Sequence, residues 1–73
     1  MSVCSYIIQP LAGKNEAVKS HVKNWGDLFE DDAHQVLVLV TNTPDHSTEK
    51  KIQKELEALS DIECLTMTFM ADS

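Results

Sequence analysis

Apolar residues fall along this chain in two patterns: short runs rich in β-branched residues, and stretches where they recur every three or four positions. Val3 to Gln9 is a run of the first kind, and Pro10, which cannot donate to a central ladder, ends it. Leu11, Ala12 and Gly13 make a turn. From Asn15 to about Asn24, Val18 and Val22 with Trp25 following are spaced by four and three, which is helical. Asn15 is placed to cap that helix, and Glu16 in the first turn suits the helix dipole. Gly26 follows Trp25, where a helix C-terminus favours glycine. Asp27 to Glu30 is a weaker strand around Leu28 and Phe29, and Asp31-Asp32-Ala33-His34 reads as a turn. Val36 to Val40 is unbroken in its apolar character, as a central strand is. Thr43, Pro44 and Asp45 read as an N-cap, a proline at the first helical position and an acid in the first turn. The helix they open runs to Leu59 with Ile52, Leu56 and Leu59 on one face. Ile62 to Met70 closes the chain as a strand, with Leu65, Met67 and Phe69 alternating against Cys64, Thr66 and Thr68.

The order is β-α-β-β-α-β with short connections and no linker, repeat or low-complexity segment. Two right-handed crossovers in that order predict a ferredoxin-like α+β sandwich: a four-stranded antiparallel sheet with both helices on one face. The first and third strands are central, flanked by the fourth and second. Residues 1–73 read as one domain.

Such a sheet leaves one face open. Ser5 and Gln9 mark the outward phase of the first strand, which puts Val3 and Ile7 outward and Cys4, Tyr6 and Ile8 inward. Bulky Leu65, Met67 and Phe69 should meet the helices, so Cys64, Thr66, Thr68 and Met70 look outward. Thr41 suggests that Leu37 and Leu39 share the outward phase. The opposite phase would expose Val36, Val38 and Val40 instead. Either choice leaves apolar side chains on the open face. Ile7, Leu37, Leu39 and Met70 then form a stripe edged by Ser5, Gln9, Thr41, Thr66 and Thr68. Exposed apolar patches of this kind usually mark a partner, although β-branched residues are favoured in strands whatever they face.

Charge narrows the choice of partner. Twelve acids stand against six lysines with no arginine, a formal net charge of −6. Nucleic acid is a poor partner, because phosphate contacts need Lys/Arg clusters and base stacking needs exposed rings. Anionic membrane surfaces are disfavoured for the same reason, and a cationic partner is favoured. No apolar run approaches the roughly 20 residues of a membrane span. The first residues carry no basic segment ahead of the strand, so a cleaved leader is not expected and the expected compartment is the cytoplasm.

Catalytic chemistry is hard to find. Asp31 and Asp32 sit in a turn, where paired acids usually cap and face solvent. His21, His34 and His46 are scattered, without metal-ligand spacing. Cys4 and Cys64 begin neighbouring antiparallel strands, so several residues at about 3.3 Å each separate them, too far for a disulfide. Ser47-Thr48 is a helix first turn with no base beside it. No enzyme activity and no cofactor are expected. Of other ferredoxin-like proteins, RNA-recognition domains need aromatic strand motifs, acylphosphatase-type enzymes an arginine, and soft-metal carriers paired cysteines after the first strand. The chain has none of these.

Val3-Cys4-Ser5-Tyr6-Ile7-Ile8-Gln9 resembles the opening strand of NapD-type chaperones, with its V-C-S start, aliphatics and Gln. His34 to Val40 resembles their third strand, and Asp61 to Met70 their last. The resemblance spans nearly the whole chain in order and length, as in a divergent member. It implies a cytoplasmic chaperone for the catalytic subunit of periplasmic nitrate reductase. Such a chaperone binds the twin-arginine signal peptide and delays export until the molybdenum cofactor is inserted. The expected peptide-binding residues are Ser5, Ile7, Gln9, Leu37, Leu39, Thr41, Thr66, Thr68 and Met70. The paired arginines are expected to meet Glu30, Asp31 and Asp32 at one end of the sheet. The competing expectation is a homodimeric interaction or ligand-binding regulatory module.

Overall fold

A computed structural model describes residues 2–72; Met1 and Ser73, the two ends of the span read as one domain, lie outside it. The elements are β1 (Ser2–Pro10), α1 (Asn15–Val22), β2 (Asp27–Asp31), β3 (Val36–Thr43), α2 (His46–Ala58) and β4 (Ile62–Asp72). The strands form one sheet in the order β2-β3-β1-β4, antiparallel at every neighbour. This is the ferredoxin-like α+β fold. Cys4, Tyr6 and Ile8 of β1 and Leu37 and Leu39 of β3 are buried with Val18 and Val22 of α1 and Ile52 and Leu56 of α2. One face of the sheet therefore carries both helices, and the other carries none of the core.

The helix boundaries differ from the sequence reading in ways that local chemistry explains. Asp45, not Thr43, caps α2: its backbone is extended and its Oδ1 accepts from the Thr48 N–H at 2.8 Å. Thr43 is instead the last residue of β3, so Pro44 lies before the cap rather than inside the helix. Asn15 is already helical, preceded by Lys14 without a side-chain cap. Gly26 does not end α1, which stops at Val22. At Gly26 the chain entering β2 runs against β3, and a Cβ there would collide with the carbonyl of Val40.

Beneath α2 the core contains a carboxylate. Glu49 is 0% exposed. Tyr6 Oη donates to its Oε2 at 2.6 Å, Thr41 Oγ1 to its Oε1 at 2.7 Å and Thr43 Oγ1 to its Oε1 at 3.1 Å. These hydroxyls come from β1 and β3, so one carboxylate ties the first turn of α2 to both central strands. A buried charged group is tolerable only when its lone pairs are filled in this way. Burial and the neighbouring Glu49 push the Tyr6 hydroxyl well above its ordinary pKa.

The ladder between β1 and β4 shifts register between Ser5 and Tyr6, so Thr68 is an extra residue with no β1 partner, a β-bulge. Side chains beyond the bulge change face. Phe69 pairs with Ser5 and Met70 with Cys4, which puts Phe69 on the open face and Met70 on the helix side. This reverses the expectation for both residues. Leu65 and Met67, before the bulge, pair with Ile8 and Tyr6 and keep the expected helix-side phase.

Candidate functional site

The open face follows directly from the registers. One row across the sheet is Phe29, Val38, Ile7 and Thr66, and the next is Asp27, Val40, Ser5 and Phe69. Toward one end lie Asp31 and Val36, with Gln9 beside Cys64. Toward the other, Val3 stands between Asn42 and Ala71. Phe29 and Phe69 are 56% and 55% exposed and Ile7 is 36% exposed, while the β3 valines are half-buried among them. The result is a slanting apolar band from Phe29 through Val38 and Ile7 to Phe69, broken by Ser5 and Thr66.

Ser5, Ile7, Gln9 and Thr66 lie on this face as the sequence suggests. Leu37, Leu39 and Thr41 do not. All three are buried on the helix side, and Val36, Val38 and Val40 take the open face. Thr41 misled because a polar residue on a central strand reads as outward, whereas its hydroxyl is spent on Glu49 inside the core. Met70 turns to the helix side at the bulge, and Thr68, the bulged residue, donates its hydroxyl to the Ser5 carbonyl at 3.2 Å. Phe29 and Phe69, the largest side chains on the face, were missed. Phe29 sits in a strand with weak patterning, and a bulge leaves no mark in a run of alternating residues.

The three acids assigned to the end of the sheet are separated by the structure. Glu30 pairs with buried Leu37 and so turns to the helix side, where its Oε1 lies 2.6 Å from Lys19 Nζ on α1. Lys19 also meets Glu16 at 2.9 Å, and the contact with Glu30, then that with Glu16, pushes its pKa up to about 12. Asp31 is on the open-face phase, but its carboxylate closes the turn: His34 N–H donates to Oδ1 at 3.3 Å, and His34 Nδ1 lies 2.9 Å from Oδ2. The His34 side chain, then its backbone N–H, holds the Asp31 carboxyl below the usual carboxylate range.

Asp32 is the one that remains available. It lines a cleft of about 700 Å³ at this end of the sheet with Gln9, Glu16, Gln35 and Glu63. The cleft joins the end of β1, the start of α1, the β2–β3 turn and the start of β4. Gln35 enters β3 with φ 55°, a left-handed conformation that helps fold the turn back toward the cleft. Among the described residues no cation pairs with Asp32 or Glu63. Glu16, Asp32 and Glu63 thus gather negative charge beside one end of the apolar band.

Cys64 is exposed on the open-face phase opposite Gln9, and Cys4 is buried. Among the described residues no group of three or more His, Cys, Asp or Glu side chains could hold a metal ion. Among the described residues no helix is long and apolar enough to cross a membrane. No protein-family model, curated protein or solved structure matches the chain. The fold and this face are therefore what the chain offers for a functional reading: a surface suited to binding, with apolar area across it and negative charge at one end.

Proposed function

We propose that this protein is a cytoplasmic chaperone of the NapD type. It binds the twin-arginine signal peptide of the catalytic subunit of periplasmic nitrate reductase and holds back export until the cofactor is inserted. The observation that carries the reading is the open sheet face, with Phe29, Val38, Ile7 and Phe69 solvent-accessible and Asp32 and Glu63 unpaired at one end. A twin-arginine signal peptide has the complementary chemistry, paired arginines followed by an apolar segment. Guanidinium groups meet carboxylates in charge-assisted, often bidentate bonds, and a net charge of −6 speeds and biases encounter with a basic partner. The likeness of the three strands to NapD-type chaperones supports the same reading. The mechanism is occlusion: a peptide laid on the sheet is hidden from the translocase and released as the cargo matures. Such hand-over needs moderate affinity, with dissociation constants from micromolar to nanomolar, about −8 to −12 kcal/mol.

Calorimetric titration with a synthetic twin-arginine signal peptide from a periplasmic nitrate reductase tests the proposal, beside a peptide with both arginines changed to glutamine. Binding that weakens with the glutamine pair is the expected result. The exposed phenylalanines favour one other reading, a homodimer that buries this face against a second copy. No binding of either peptide, with a dimer in sedimentation, would replace the chaperone with that module.

A further inference from the structure

The sheet has two edges of opposite character. β2, on one side, is five residues long, and three of them are acids, Asp27, Glu30 and Asp31. β4, on the other, runs eleven residues from Ile62 to Asp72 and holds no lysine or proline. Its acids, Glu63 and Asp72, stand near its two ends, and Cys64 to Ala71 between them carry no charge. A short, charged strand blunts an edge, whereas a long uncharged one offers a row of backbone N–H and C=O groups to another strand. Among the described residues no strand pairs with the outer side of β4. We propose that β4 pairs antiparallel with the β4 of a second copy of this chain, joining two four-stranded sheets into one of eight strands.

The side chains along that edge are apolar on both sides of the sheet. Glu49 fastens the first turn of α2 to β1 and β3, while Leu56 and Leu59 at its other end line a groove with Ile62 and Leu65 of β4. The helix therefore crosses the sheet obliquely. It covers the start of β4 and leaves Met67 and Met70, on the helix side, 42% and 40% exposed. On the open side Phe69 is 55% exposed. The bulge at Thr68 creates this arrangement by putting Phe69 and Met70 on opposite sides of the edge. Bulges commonly bend an edge away from partners. This one turns the Thr68 hydroxyl back to the Ser5 carbonyl and leaves an apolar side chain above and below the outer backbone.

A second copy is the occupant because the edge matches itself. An edge built for a basic strand would carry acids along its length, and this one confines them to its ends. Antiparallel pairing about a two-fold axis sets a strand against its own sequence reversed. Centred near Phe69, it brings Phe69 beside its own copy on the open side and Met67 beside the partner's Met70 on the helix side. An axis perpendicular to the sheet keeps both helix layers on one side and leaves both open faces uncovered. The pair is thus distinct from a homodimer that buries the open face, and it does not compete with a peptide lying there. One strand and three large side chains from each copy make a small interface, below the roughly 1,200 Å² of stable complexes. The net charge of −6 opposes it as well, so the association is reversible and concentration-dependent.

Sedimentation equilibrium of the full chain under reducing conditions, up to millimolar concentration and without peptide, tests the proposal. A monomer–dimer equilibrium is expected. Met67→Lys and Met70→Lys each lower the net repulsion by one charge yet should weaken the dimer tenfold or more, as lysine on an edge strand does. Phe29→Lys makes the same change in charge on the opposite edge strand and should leave the dimer within twofold of the parent. Circular dichroism verifies that each variant is folded. Amide hydrogen exchange of the parent reads the same contact with no variant: amides of β4 should slow as concentration rises, and those of β2 should not. A parent that stays monomeric at millimolar concentration overturns the proposal. So does a dimer broken by Phe29→Lys but not by the methionine changes, or one that leaves exchange along β4 unaltered. None of these results depends on whether the signal peptide binds, which the titration above measures separately.

Discussion

The two faces of the sheet are built from nearly the same residue types and do opposite things. On β3, Leu37 and Leu39 enter the core while Val36, Val38 and Val40 line the open side. On β1, Ile8 is fully buried and its neighbour Ile7 is 36% exposed. What separates the faces is not hydrophobicity but the polar groups placed among the apolar ones. On the helix side Thr41, Thr43 and Tyr6 converge on Glu49, and their hydrogen bonds make burial affordable. On the open side Ser5, Gln9 and Thr66 have no such partner in the core and keep the surface wettable. The comparison teaches that a threonine on a central strand can mark the inside, provided an acceptor on the covering helix waits for it.

The largest expected effect of breaking this contrast is in packing. Leu39→Ala should destabilise the fold by about 3 kcal/mol, as core leucine truncations do, and Val38→Ala, one residue away on the other face, by less than about 1 kcal/mol. Urea unfolding of the pair measures the difference directly. Next comes the buried network. Glu49→Ala leaves the Tyr6, Thr41 and Thr43 hydroxyls without their acceptor and should cost about 2–3 kcal/mol, with Tyr6→Phe costing about 1–2 kcal/mol. If the two changes are combined, the loss should fall short of the sum, because both act on one network.

On the open face the balance reverses. Phe29→Ala and Phe69→Ala should each leave stability within about 0.5 kcal/mol of the parent. Each should nevertheless weaken the signal peptide by about 1–2 kcal/mol, the usual range for an anchoring aromatic. Calorimetry alongside thermal melts checks both halves. The smallest effect is at the start of α2. The Thr48 N–H holds the Asp45 carboxyl below its ordinary range, so this cap stabilises the fold above the usual carboxylate pKa. That contribution is lost as pH falls through the lowered value. Asp45→Ala should therefore melt lower than the parent at neutral pH, and the gap should close in acid.

Much of this was legible in the sequence, for identifiable reasons. The β-α-β-β-α-β order, the strand order and the phase of β1 follow from Ser5 and Gln9 alternating with aliphatics and from the helical spacing of Val18, Val22, Ile52 and Leu56. The phase of β3 could not be fixed, because five consecutive aliphatics carry no alternation and the tie-breaking Thr41 answers to Glu49, eight residues away in another element. Phe69 and Met70 changed places because the bulge at Thr68 is a property of pairing with β1, not of β4 alone. Of the acids at the end of the sheet, the turn position of Asp32 was readable. Glu63 joins it at the irregularity where β4 begins, between the partners of Pro10 and Gln9, and Glu30 leaves the group because Lys19 on α1 takes it.

The most direct test is the response of side-chain methyl groups to the signal peptide. Ile7 and Ile8, and Val38 and Leu39, are neighbours in the chain that stand on opposite faces. In methyl NMR of the labelled protein titrated with the twin-arginine peptide, Ile7, Val36, Val38 and Val40 should shift strongly. Ile8, Leu37 and Leu39 should hardly move. Shifts confined to the helix side, or binding that leaves Ile7 and Val38 unmoved, would contradict the assignment of the open face as the binding surface.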